Sequence, residues 1–164
     1  MKKSFLILVI AGFLIIGFAE IQAQTTQTKL NQVELLKQFI GSWKFDWGKD
    51  TTGLFEIKPF GTGLECYYNS VNKGKILMEA KQLWGYDKKI DKIVYVNLED
   101  GNITIGAVWF ISNNKYIGIP YSDIANPEKA SFRYEGEFKS PNLLVETLNK
   151  NGKPLKTYTY TRTK

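Results

Sequence analysis

Histidine is absent from this 164-residue chain, cysteine occurs once, at Cys66, and arginine twice, at Arg133 and Arg162. The first absence removes Ser-His-Asp and Cys-His nucleophilic catalysis, the usual zinc sites and proximal-histidine haem ligation together. No metal site, cofactor or catalytic residue is therefore expected. A lone cysteine forms no internal disulfide, so the fold must hold through packing. Cys66 alternates with Leu64 and Tyr68, which reads as a buried, inert thiol. The shortage of arginine qualifies the net charge of +6, nearly all of which comes from lysines scattered through turns. Nucleic-acid patches are usually clustered and often use arginine, so no nucleic-acid partner is expected.

One long hydrophobic run is present. Lys2 and Lys3 precede an apolar stretch from Phe5 to Phe18, which ends in Glu20, Ile21, Gln22 and Ala23. A positive n-region, an apolar h-region and a small residue at the cleavage position form a secretory signal peptide. The stretch is short of the roughly 20 apolar residues that span a bilayer, so removal is expected, with an uncleaved anchor as the alternative. No cysteine follows it to take a lipid, and no stable membrane anchor should remain after cleavage. The expectation is residues 1–23 as signal, 24–41 as an N-terminal segment with a short helix, and 42–164 as one exported domain, periplasmic or secreted.

From Thr28 to Ile40 the residues Leu30, Val33, Leu36, Phe39 and Ile40 recur at helical spacing, and Asn31 followed by Glu34 resembles a capping box. Gly41 supplies a left-handed stop. After it the period changes to two. In "KASFRYEGEFK" (129–139) Ala130, Phe132, Tyr134, Gly136 and Phe138 alternate with polar residues, the pattern of a half-buried strand. Hairpin-sized turn signals such as "VNKGK" (71–75), "EDGN" (99–102) and "NKNGKP" (149–154) recur at even intervals. They separate about ten strands, near 42–47, 53–59, 62–71, 74–84, 91–98, 102–112, 114–119, 129–139, 142–149 and 154–162. Parallel strands need crossovers of about a dozen residues, and only "PYSDIANPEK" (120–129) approaches that length, so the sheet should be antiparallel. A long meander leaves two open edges unless it closes. The fold class is all-β, an antiparallel up-and-down barrel of about 8–10 strands with one N-terminal α-helix; a two-sheet sandwich is the alternative.

A helix that ends at glycine and feeds a strand carrying Gly41, Ser42 and Trp43 resembles the lipocalin-like or calycin barrels. "GSW", "GYD" (85–87) and "TYTRTK" are also similar to small exported bacterial barrels of unassigned function. The resemblance implies that Gly41, Trp43 and Arg162 form a barrel closure, with Trp43 sealing one end and Arg162 packed against it. An arginine on an indole face is a cation–π contact. Trp47 is either a rim residue or an anchor under the loop from Asp46 to Gly53.

Carboxylates Glu56, Glu65, Glu79, Glu99, Glu135, Glu137 and Glu146 lie on or beside strands, and most read as solvent-facing by alternation. Asp87, Asp91 and Asp100 sit in turns without calcium-loop spacing. Gly61 and Gly63 mark a turn, since no helix and no Lys-Ser or Lys-Thr pair follows to make a phosphate loop. The aromatic content remains. If Phe132 marks the inward register, then Phe55, Tyr68, Met78, Trp84, Trp109, Tyr134 and Phe138 join it as candidate ligand-binding residues. Barrels of this size either fill their interior or hold one small ligand. The leading expectation is a non-catalytic barrel that binds a small apolar or amphipathic molecule. A filled barrel that meets a partner, or a weak carboxylate enzyme at the barrel mouth, are the alternatives.

Overall fold

The computed structural model describes residues 29–48 and 50–163; the expected signal peptide lies outside them. Ten strands follow one short helix: α1 (Gln32–Leu36), β1 (Gly41–Gly48), β2 (Thr51–Phe60), β3 (Gly63–Asn72), β4 (Lys75–Asp87), β5 (Lys92–Glu99), β6 (Asn102–Phe110), β7 (Lys115–Pro120), β8 (Phe132–Ser140), β9 (Leu143–Lys150) and β10 (Lys153–Arg162). Each pairs antiparallel with its neighbours in sequence, and β1 pairs with β10 through Trp43↔Arg162, Lys44↔Thr161 and Phe45↔Tyr160. The meander is thus a closed up-and-down barrel rather than a sandwich, and closure satisfies the backbone groups that two free edges would leave unpaired.

The tight turns carry the strain that hairpins require. Lys73-Gly74, Asp100-Gly101 and Asn151-Gly152 have positive φ at both residues, the geometry of a two-residue turn that follows the strand twist. The long connection after β7 makes no crossover. It folds as two 3₁₀ turns, Tyr121–Asp123 and Pro127–Lys129, and the first packs on β6. Ala107, Ile117 and Ile119 are buried on the outer wall, apart from the inner core cluster.

The helix is shorter than the periodicity implies. The Asn31 side chain accepts from the Glu34 N–H at 3.2 Å, but the Glu34 carboxylate pairs with Lys37 at 2.8 Å instead of returning to the cap, so only half of the capping box forms. A 3₁₀ turn, Lys37–Phe39, ends the helix, with the Ile40 N–H bonded to the Lys37 carbonyl. Gly41 is therefore not the helix stop. It is the first residue of β1 at φ 133°, a conformation L side chains rarely adopt. The helix and turn plug one end of the barrel through Phe39, whose ring meets Trp84, Tyr116 and Phe138 at 5.1 Å each. Gln32 ties the plug to the wall. Its amide donates to the Phe110 carbonyl at 3.1 Å and accepts from the Phe110 N–H at 2.7 Å, as a strand partner would.

Candidate functional site: the barrel interior

Strand alternation decides what faces inward. Trp43, Phe45 and Trp47 point into the barrel from β1, with Lys44 and Asp46 outside. At the plugged end the Arg162 guanidinium carbon lies 4.1 Å from the centre of the Trp43 ring. The same guanidinium donates to the carbonyls of Gln38 and Pro141, at 2.8 Å each, and to that of Ile40. The indole N–H of Trp43 donates to the Phe39 carbonyl at 2.8 Å. These bonds join the helix, β1 and β10 at the seam.

Above this floor the interior is open, with a cavity of about 580 Å³. Its apolar lining includes Phe45, Phe55, Tyr68, Met78 and Trp84; its polar lining includes Gln82 on β4, Asn97 and Glu99 on β5, Thr104 on β6 and Glu146 on β9. Trp47 stands at the mouth, 38% exposed, and stacks on Tyr68 at 5.8 Å. This places it on the rim. Lys156 reaches over the same rim, its Nζ 4.8 Å from the Tyr158 ring centre and 2.6 Å from the Trp47 carbonyl oxygen.

Three large rings fit inside because each lies on a glycine directly across the ladder. Phe45 faces Gly53, Tyr95 faces Gly106 and Tyr116 faces Gly136. A Cβ at these glycines would stand 2.0–2.3 Å from the ring atoms, too close for any side chain. The glycine at 136 lets Tyr116 reach across β8 to Glu146 on β9.

Glu146 enters the cavity from β9, apart from the polar residues of β4–β6. Its Oε2 accepts from the Tyr116 hydroxyl at 2.5 Å and its Oε1 from the Tyr160 hydroxyl at 3.0 Å. Protein surrounds the carboxyl, while part of its surface faces the cavity and stays reachable from within. Desolvation raises its pKa above the usual carboxylate value, and the two tyrosine hydrogen bonds oppose that shift. The surrounding phenols are raised in turn: Tyr134 is pushed up to about 12 by burial and then by the nearby Glu146, and Tyr116 and Tyr160 well above 10 for the same reasons. Nearer the mouth the Asn97 Nδ2 donates to Glu99 at 3.2 Å, and the buried Asn97 Oδ1 has no partner among the described residues. The Trp84 indole donates to the Gln82 Oε1 at 2.8 Å.

Comparison with protein-family models and with curated proteins finds no match.

The cavity brings together Phe55, Tyr68, Met78, Trp84 and Tyr134 from the sequence-based set. Phe138 belongs to the floor, packed on Phe39 at 5.1 Å and Trp43 at 6.1 Å. Two residues are placed elsewhere. Trp109 faces outward, because Val108 and Phe110 occupy the inward positions of β6; its ring lies under the Lys92 ammonium at 4.0 Å, in a recess beside Lys29 and Leu30. Phe132 shares the inward register of Tyr134, Gly136 and Phe138, but it starts the strand at the mouth, 37% exposed beneath Lys150. The carboxylates divide similarly. Glu56, Glu65 and Glu137 pair outside with Lys58, Lys81 and Lys139. Glu99 and Glu146 line the cavity, against the solvent-facing reading. Cys66 is fully buried, and desolvation pushes its thiol up to about 12.

Proposed function

We propose that this chain is an exported, lipocalin-like barrel that holds one small amphipathic molecule and performs no chemistry on it. The supporting observation is the cavity of about 580 Å³, mostly aromatic, with a few polar groups set among the rings. That volume falls within the range of small-molecule sites, and a mainly apolar pocket with sparse, placed polar groups is their usual composition. Tyrosine and tryptophan suit such a guest because each offers apolar area and a hydrogen-bonding tip. The expected signal at residues 1–23 supports export, and the Gly41, Trp43 and Arg162 closure supports the lipocalin-like reading.

Tryptophan fluorescence tests the binding. Trp47 and Trp84 line the cavity, so an apolar dye or alkyl amphiphile should quench them saturably at one molecule per chain. Gly118→Phe, which adds a ring to the cavity wall, should abolish that binding. Linear, non-saturating quenching, or binding that survives Gly118→Phe in a folded protein, would contradict the proposal.

A second reading, carboxylate catalysis, is favoured by Glu99 and Glu146 lining one void. Conversion of a bound ligand that stops in Glu146→Gln would support it over simple carriage.

A further inference from the structure

We propose that the occupant of this cavity carries a cationic head, an organic ammonium or amidinium group, which docks on the Glu146 carboxylate. The inference rests on the ligand-binding reading above.

Charge is segregated in this molecule. The chain has a net charge of +6, yet among the described residues the only charged side chains lining the cavity are Glu99 and Glu146. A guest with a carboxylate or phosphate head would meet like charge in a space of low dielectric, where repulsion is strong. A guest with a cationic head meets the opposite.

Hydrogen-bonding capacity points the same way. Each Glu146 oxygen accepts one tyrosine hydroxyl, and a carboxylate oxygen has room for a second donor. On the β5 side of the cavity the Asn97 Oδ1 is an acceptor without a partner among the described residues, in a residue only 8% exposed. Its orientation follows from Glu99, whose carboxylate takes the Nδ2 of the same amide. A buried, unmade acceptor is costly, so a donating guest relieves it; the Tyr68 hydroxyl, likewise without a partner among the described residues, can take either role. An ammonium donates and accepts nothing.

The aromatic wall fits the same guest. Phe45, Trp47, Phe55 and Tyr68 present adjoining rings, with centroids 4.6–6.3 Å apart. Ring faces attract cations, most strongly when water is excluded. At the mouth the Lys156 ammonium already lies over the rings of Trp47 and Tyr158.

Decylamine, decanol and decanoate, which share one alkyl body, separate the head from the tail. Each is titrated below its micelle concentration, at neutral pH and fixed ionic strength, as a competitor of a cavity-bound dye. The expected order is decylamine at least ten-fold tighter than decanol, with decanoate weakest. Glu146→Gln, close to isosteric, should remove the preference for the amine and leave decanol within about two-fold of wild type. Equal or tighter binding of decanol or decanoate by the wild type overturns the cationic head and leaves the cavity reading intact. So does a folded Glu146→Gln that keeps the full preference. If that variant does not fold, the wild-type ratio of amine to alcohol decides alone. Failure of all three to displace a saturably bound dye overturns the cationic head and leaves the cavity reading intact; absence of any saturable dye site overturns both.

Discussion

Glu146 has both oxygens held by tyrosine hydroxyls while burial raises its pKa above 4.5. A carboxyl whose folded pKa is raised contributes stability that is complete below its unfolded pKa and is lost as pH rises through the folded value. The wild type should therefore lose stability relative to Glu146→Gln as pH climbs from about 4 to neutrality, read as a narrowing or reversal of the difference in urea midpoint. A difference that is constant with pH would show that Glu146 has an ordinary pKa. Gly136 tests the geometry behind it. A Cβ there would stand 2.1 Å from the Tyr116 ring, so Gly136→Ala should cost about 1–3 kcal/mol and displace Tyr116 from Glu146. Gly118→Ala meets nothing closer than 3.4 Å and should be nearly neutral. At the plugged end Trp43→Ala should cost about 3–5 kcal/mol, as for other buried aromatics; an unchanged thermal midpoint would contradict the closure role. Trp43 and Arg162 were legible because "GSW" and "TYTRTK" sit on the first and last strands. Glu146 was not, since Leu143, Leu144, Val145 and Leu148 leave β9 without a clean alternation to assign its face.

Ten strands were readable because glycine-bearing turns punctuate them and alternation is strict where one face meets water, as on β8. Trp109 shows where that reading fails. On β6 the sequence "IGAVWF" is apolar on both faces, because the connection after β7 covers part of the outer wall near Ala107. A strand buried on both sides carries no period-two signal. The three glycines under Phe45, Tyr95 and Tyr116 offered a signal that composition alone hides: an aromatic on one strand, paired with a glycine on the next. The helix was legible as a helix, but its role as a plug depends on Gln32, a polar residue on an otherwise apolar face. Gln32→Leu should strip the Phe110 backbone of both partners and cost about 2–4 kcal/mol, one unmade buried group on each side. Gln32→Glu, which can accept from the N–H but not donate to the carbonyl, should cost less at low pH, where its carboxyl is protonated. Equal stability of all three in urea unfolding would remove the strand-partner role.

The closed meander follows from turn lengths and hairpin geometry, so the barrel itself was within reach of the sequence. Whether its interior is filled or open was not, because an aromatic residue reads alike as core or as lining. Volume decides it: Phe39, Trp43, Phe110, Tyr116 and Phe138 crowd one end, while in the cavity wall Gly118 contributes no side chain. The result is a barrel sealed at the helix end and open toward Trp47. The most direct test of this account is native mass spectrometry of the protein purified, without denaturation, from the cells that make it. The account predicts a single adduct of small-molecule mass at one copy per chain, which Gly118→Phe loses while remaining folded. A wild-type protein that arrives bare, and that takes up nothing saturably from a panel of lipids and metabolites, would contradict it.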